Sequence, residues 1–278
     1  MPELPEVETV RRGLADRLDS FEIKEIEVCR ARAIASPGGV DQFVAGLKGA
    51  TVGAWSRRGK YLMAQLEPNR GRWGVHLRMT GQFQWHATPA PPCNHTRVRF
   101  WNQSSEELRF VDVRSFGEMW WVPEGDDLDT VMTGLKRLGP EPFSEAFTGA
   151  YLKQRLKGST RPIKTALLDQ SLVAGVGNIY ADESLFAAGI PPLTASGKLS
   201  IEQLVRLRDE LINVLNISIG VGGTTFSDFR DLEGVNGNYG GQSWVYRRSG
   251  QPCRRCGTPI SREKLSGRST HWCPTCQR

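Results

Sequence analysis

Apolar and polar positions change period along this chain, and the changes divide it. Val7, Val10, Leu14 and Leu18 recur at spacings of three, four and four, an apolar stripe that predicts an N-terminal helix. Pro5 suits its first turn, and Glu6 and Glu8 complement the positive end of the helix dipole. From about residue 22 the period becomes two. Trp73, Val75, Leu77 and Met79 alternate with Gly74, His76, Arg78 and Thr80, and Val98 and Phe100 alternate with Arg97, Arg99 and Trp101. Short strands of this kind, interrupted by Gly, Pro and Asn clusters such as 86–94, predict a β-sandwich over 1–132 behind the first helix. The stretch TGLKRLGPEP at 133–142, with two glycines and two prolines, reads as the body of a linker over 133–145.

A helical pattern occupies 146–243. Leu199-Ser200-x-x-Gln203-Leu204 combines a capping box with a hydrophobic staple, and Ile201, Leu204, Leu207, Leu211 and Leu215 predict a buried stripe. Further helices are expected near 164–172 and 180–188, separated by AGVGN, whose two glycines allow a tight turn with exposed amides. Residues 220–241 contain seven glycines, too many for a regular element, and loops of that length in compact domains are usually functional or disordered. The fold class is therefore α+β and multidomain, closing with a separate cysteine-rich module at 244–278.

Composition excludes several classes. With 278 residues, 39% of them hydrophobic and 24% charged, the chain is an ordinary globular sequence. It has no apolar run of about 18 residues to cross a membrane. Its opening MPELPEVETV places acids and prolines where a signal peptide needs basic and then apolar residues, so a cytoplasmic location is expected. The net charge of +6 is not evenly spread: residues 247–278 carry eight Arg or Lys against Glu263 alone, and the remainder of the chain sums to −1. Such a cluster marks either a nucleic-acid-binding surface or a solvated basic tail.

The cysteines narrow that choice. Cys253-x-x-Cys256 and Cys273-x-x-Cys276, with 16 residues between the pairs, match the spacing by which two knuckles place four thiolates around zinc. Two disulfides are the competing reading, disfavoured in a reducing cytoplasm. Four thiolates and one Zn²⁺ together leave the module still positive. Cys29 and Cys93 are isolated and read as structural.

Pro2 offers chemistry of another kind. Removal of the initiator Met1 leaves a free secondary amine, which adds to an aldehyde carbon to form an iminium ion, an electron sink that acidifies the neighbouring carbon. Glu3 is close enough to relay protons, although many cytoplasmic proteins begin Met-Pro without such a role.

MPELPEVETVRRGL, RRGKYL, HLRMTG, GVGNIYADESLFAAGI, GGTTFSDF and the terminal four-cysteine segment, in that order from residue 2 to residue 277, resemble the bacterial formamidopyrimidine-DNA glycosylases. The resemblance implies a bifunctional DNA glycosylase and AP lyase of base excision repair, removing 8-oxoguanine and formamidopyrimidines from damaged double-stranded DNA. It implies a helix-two-turn-helix in 146–243, a lesion-capping loop at about 220–241, one structural Zn²⁺ and a monomer. Pro2 becomes the nucleophile at C1′, Glu3 the acid that protonates the sugar ring oxygen, and Glu6 a second acid that positions water or helix amides. Lys60 is implied in β-elimination and a phosphate contact, and Arg268 in gripping the phosphates and promoting δ-elimination. Met79, Arg114 and Phe116 fill the void left by the extruded nucleotide, with Arg114 bonding the orphaned base. His76, His95, Asn178 and Arg161 match positions that contact the backbone.

Two departures accompany the resemblance. Asp112-Val113-Arg114-Ser115-Phe116-Gly117 stands where many members read Asp-Pro-Arg-Arg-Phe-Gly, and RLKGSTRPIK weakens the carry-over to Arg161. Two rival functions are an endonuclease VIII-like glycosylase for oxidised pyrimidines and a zinc-dependent DNA-binding protein without catalysis. Leu4, Met79, Arg114, Phe116 and the long loop favour the purine enzyme over the first, and the Pro2-Glu3-Glu6-Lys60 set opposes the second.

Overall fold

The computed structural model describes residues 1–88, 90–224 and 237–278. Helix α1 (Leu4–Arg17) forms where the apolar stripe predicts it, with Val7, Val10, Leu14 and the following Leu18 all buried. Pro5 lies in its first turn and Glu3 is its N-cap. Glu8 serves ion pairs rather than the helix dipole: its carboxylate meets Arg11, Arg12 and Arg57 at 2.9, 3.0 and 3.3 Å.

After β1 (Glu25–Val28) the period-two expectation fails over one segment. Helix α2 (Gly39–Leu47) follows Gly38, which at φ 78° takes the left-handed conformation natural to glycine. The positions Val40, Phe43, Val44 and Leu47 carry a helical spacing inside a region otherwise patterned as strand. Gly46 lies flat against Trp121, where a Cβ would come within 2.2 Å of the indole.

Strands β2 (Thr51–Arg58), β3 (Tyr61–Glu67), β4 (Arg72–His76), β5 (Gly81–His86), β6 (Thr96–Trp101), β7 (Glu107–Asp112) and β8 (Glu118–Val122) complete two antiparallel four-stranded sheets. Their orders are β1-β6-β7-β5 and β2-β3-β4-β8. The core contains Trp73, Phe83, Phe100 and Phe110, with ring centroids 4.6 Å apart for Trp73–Phe100 and 5.2 Å for Phe83–Phe110. The alternation that runs through Leu77 and Met79 is not all strand. β4 stops at His76, Arg78 adopts φ 54°, and Gly81 N–H donates to Leu77 O at 3.0 Å, closing a turn at 77–80. Short helix α3 (Leu128–Val131) follows.

By compactness, residues 1–136 with 222–238 form one unit, and 137–221 with 239–278 form another. Within 133–142, Leu135–Arg137 make a 3-10 turn and Leu135 is buried. The second unit holds α4 (Gly149–Leu156), α5 (Ile163–Leu167), α6 (Asn178–Ala187) and α7 (Ile201–Gly220), then the hairpin of β9 (Ser261–Leu265) and β10 (Arg268–Trp272). Helix α5 is shorter than the expected 164–172, because Asp169 turns its carboxylate onto Ser171 N and Oγ at 2.9 and 2.7 Å. Ser200 and Gln203 form the anticipated capping box of α7. Leu204, Leu207, Leu211 and Leu215 are buried, but Ile201 is 39% exposed; the stripe is covered only from Leu204 onward. Among the described residues no helix is long and apolar enough to cross a membrane. Most of the expected loop at 220–241 lies outside the described residues.

Candidate active site and nucleic-acid interface

The first unit gathers its titratable groups at the head of α1. Pro2 is buried, as are Glu3 and Glu6 at 2% and 1% exposure. Two buried carboxylates there are tolerable because they occupy the positive end of a helix and are hydrogen-bonded. They form a reciprocal capping box: Glu3 accepts from the Glu6 backbone, and Glu3 N–H donates to Glu6 Oε2 at 2.8 Å. The other oxygen of Glu6 accepts from Thr224 N–H at 2.8 Å and lies 3.0 Å from Thr224 Oγ1. Gly223, at φ 80°, passes so close that a Cβ would stand 3.0 Å from Glu6 Oε1.

Lys60 is buried at 6% exposure in the tight turn from β2 to β3, beside Gly59 at φ 56°. His76, at the end of β4, packs edge-on to Tyr61 at 4.5 Å. Its Nδ1 accepts Arg78 N–H at 2.9 Å, which leaves Nε2 as the N–H donor of a neutral ring. Burial first, then the positive charges of Arg78 and Lys60, push the His76 imidazole down to about 3. A neutral donor of this kind suits a phosphate oxygen without adding charge.

Three other expected residues share one edge of this unit. Met79 sits half-buried in the 77–80 turn, and Arg114 and Phe116 are exposed in the loop from β7 to β8. The Arg114 guanidinium lies 4.8 Å from the Phe116 ring centroid, and Arg32 reaches the same ring at 5.9 Å. The Phe116 ring is thus 41% exposed and flanked by two cations. His95 is exposed before β6, with Nδ1 3.5 Å from Arg97 Nη2.

In the second unit Asn178 opens α6 after Gly177, and its Nδ2 donates to Ser269 O at 2.9 Å. Arg268 begins β10 and is exposed. Arg161 is engaged locally, 2.9 Å from Asp169 Oδ2. The sulfurs of Cys253, Cys256, Cys273 and Cys276 lie within 4.8 Å of one another, at 3.9 Å for Cys253–Cys276 and 3.4 Å for Cys256–Cys273. Both separations exceed the ~2.05 Å of a disulfide bond, whereas a tetrahedron with Zn–S of about 2.3 Å has edges near ~3.8 Å. The donor set therefore fits one Zn²⁺. Burial raises the Cys273 and Cys276 thiols while hydrogen bonds from Thr258 lower Cys256, and a bound cation favours the thiolate at all four. Cys29 and Cys93 are exposed, contrary to a packing role.

Sequence reading missed the groups that fix this module. Lys164 is fully buried, with Nζ 2.7 Å from Asp182 Oδ1, donating to Ser269 O at 2.7 Å and to Thr270 Oγ1 at 2.9 Å. Asp182 Oδ2 accepts His271 N–H at 3.0 Å. The adjacent Glu183 accepts three backbone N–H groups, from Trp244, Val245 and Tyr246, at 2.8, 3.0 and 2.8 Å. Its burial still holds the carboxyl above the ordinary range. The available signal was two adjacent acids inside the otherwise apolar run IYADESLFAAGI.

Comparison with known proteins is consistent along the whole chain. Residues 1–119 match the formamidopyrimidine-DNA glycosylase N-terminal domain, 138–230 its H2TH domain, and 250–278 the zinc finger found in FPG and IleRS. The formamidopyrimidine-DNA glycosylase of Parasynechococcus marenigrum is 76% identical, with 100% of each chain covered. A Lactococcus lactis FPG point mutant, solved with Fapy-dG-containing DNA, is 36% identical with a TM-score of 0.91 over 100% of both chains. The wild-type Lactococcus lactis FPG, solved with DNA containing an oxidised pyrimidine, is 36% identical with a TM-score of 0.90 over 100% of both chains. Four sulfurs set for zinc, a capped N-terminal helix with buried acids, and full-length matches in all three segments converge: the chain belongs to the formamidopyrimidine-DNA glycosylase family.

Proposed function

We propose that this protein excises oxidised purines, 8-oxoguanine and formamidopyrimidines, from duplex DNA and then nicks the strand as an AP lyase. The observation that carries the reading is the head of α1, where Pro2 is enclosed beside two hydrogen-bonded carboxylates in a chain 76% identical to a named glycosylase. After loss of Met1, the Pro2 nitrogen attacks C1′ and the bond to the damaged base breaks. Glu3 delivers a proton to the sugar ring oxygen as the ring opens, leaving an iminium between Pro2 and the sugar. The iminium acidifies C2′; loss of that proton expels the 3′ phosphate, and a second elimination expels the 5′ phosphate. Glu6 fixes Glu3 through its backbone, Lys60 contacts phosphate and assists β-elimination, and Arg268 grips phosphates and promotes δ-elimination.

Extruding the nucleotide costs a few kcal/mol of stacking and pairing. Met79, Arg114 and Phe116 offset it by filling the gap, with Arg114 bonding the orphaned base. His76, His95 and Asn178 act as backbone contacts; Arg161 does so only by leaving Asp169. Zinc, when bound, supplies structure alone. The working organisation is a catalytic domain over 1–132, a linker over 133–145, a helical domain over 146–243 and a zinc module over 244–278, in a cytoplasmic monomer.

Borohydride trapping tests this on duplexes carrying 8-oxoguanine, an oxidised pyrimidine or an abasic site. A covalent adduct mapping to Pro2, formed fastest on 8-oxoguanine among the base lesions, is expected. An adduct on an internal lysine would refute the nucleophile. Faster trapping on the oxidised pyrimidine would favour the endonuclease VIII-like reading.

A further inference from the structure

The residues assigned to the gap and the His95 backbone contact come from three separate stretches of chain, yet one buried residue touches all three. Asp112, at the end of β7, is fully buried. Its Oδ2 accepts Gly117 N–H at 2.7 Å, and its Oδ1 accepts Arg114 N–H at 3.2 Å and a short hydrogen bond from Thr80 Oγ1. Thr80 Oγ1 in turn accepts Arg114 N–H at 3.0 Å. The backbone of Asp112 secures the third stretch: its N–H donates to His95 O at 2.9 Å, and its carbonyl accepts Arg97 Nε at 2.8 Å.

Sterics point the same way. Gly81 and Gly117 flank one ring, that of Phe110; a Cβ would stand 2.7 Å from Phe110 Cζ at Gly81 and 2.6 Å at Gly117. Both turns are thus pressed onto the same core residue, with the carboxylate between them. Within the loop Val113 is 50% exposed, and Ser115 takes φ 55°, so neither packing nor a proline ring stiffens it. What ties it down is the Asp112 carboxylate.

We propose that Asp112 and Thr80 are positioning residues that lock the Met79 turn and the Arg114–Phe116 loop into one rigid wedge. The inference rests on the proposed gap-filling role of those three residues. Neither Asp112 nor Thr80 needs to touch DNA. Removing the Thr80 hydroxyl leaves a buried carboxylate oxygen with one donor, Arg114 N–H, where it had two.

Thr80→Val and Thr80→Ser separate positioning from general folding. In the free protein, Thr80→Val should speed amide hydrogen exchange at 77–80 and 113–117 together, and nowhere else. In single-turnover assays it should slow 8-oxoguanine excision opposite cytosine by about fivefold, the size of one buried hydrogen bond, and narrow the preference over adenine by a similar factor. Cleavage at a preformed abasic site should stay within about twofold, since the base is already gone. Thr80→Ser, which keeps the hydroxyl, should restore both. Unchanged exchange in Thr80→Val overturns the proposal, whatever the DNA assays show. So does looser exchange with the opposite-base preference intact, or an equal loss on all substrates. Arg114→Ala run in parallel isolates the underlying reading: if it leaves the preference unchanged, the assignment of Arg114 fails and the wedge with it.

Discussion

The head of α1 and the zinc module solve the same problem, fixing a reactive or gripping group, by opposite means. Around α1 an apolar core that includes Trp73, Phe83, Phe100 and Phe110 does the folding, and the buried acids Glu3 and Glu6 are placed on a helix end already formed. The buried apolar cluster at the zinc module is small: Val245, Ile260 and two of the metal-binding cysteines, Cys253 and Cys273, packed with Phe186 of α6. What orients it is polar: four sulfurs, the fully buried Lys164–Asp182 pair and the three amides on Glu183. A region with little core can be ordered only by interactions strong in low dielectric, and these fail abruptly when one partner is lost.

That contrast can be broken at each end. The largest effect is expected at Pro2: Pro2→Gly should lose most base excision, with folding intact, because no core contact defines the role. Next is the metal. One Zn²⁺ per chain should co-purify, and Cys253→Ser or chelation should abolish DNA binding while circular dichroism of the sheets persists; full affinity in a metal-free preparation would contradict it. With zinc present, affinity should fall steeply with salt as phosphate contacts release counterions.

Lys164→Met strands a buried aspartate and should cost about 3–5 kcal/mol in denaturant unfolding, and Lys164→Met with Asp182→Leu should recover part of it. An equal or greater loss in the double variant would mean that the hydrogen bonds of the pair to β10, not its charge balance, orient the hairpin. Arg114→Ala should narrow the preference for cytosine opposite the lesion by about 1–3 kcal/mol while leaving abasic-site cleavage less affected. The effect that is smallest at neutral pH, and grows only in acid, is electrostatic. His76 titrates at about 3 when folded, against an ordinary value of 6.5, so the unfolded chain binds the extra proton between those values. Stability is therefore undiminished above pH 6.5 and declines as pH falls from there toward 3. His76→Gln should flatten that part of the profile in thermal melts; an unchanged slope would place the charge elsewhere.

Much of this protein was legible in its sequence, because the signals were local. The spacing of Val7, Val10, Leu14 and Leu18 gave α1, Ser200 and Gln203 gave the start of α7, and two Cys-x-x-Cys pairs gave the metal site. Each depends on residues within a turn or two of one another, or on a ligand spacing with few alternatives. Helix α2 was missed because its short helical stretch is embedded among strands, and only the Gly38-Gly39 pair, both at positive φ, marks its start. The exposure of Ile201 and the engagement of Arg161 by Asp169 were invisible because burial and pairing depend on neighbours distant or unconstrained in sequence. The same holds for Lys164, which meets β10 from 105 residues away, and for Asp112, which meets Thr80 across 32. Local periodicity and spacing determined which elements and ligands this chain would make. Tertiary structure alone decided which charges would be buried, since an ionised side chain survives in the interior only where folding brings it a partner.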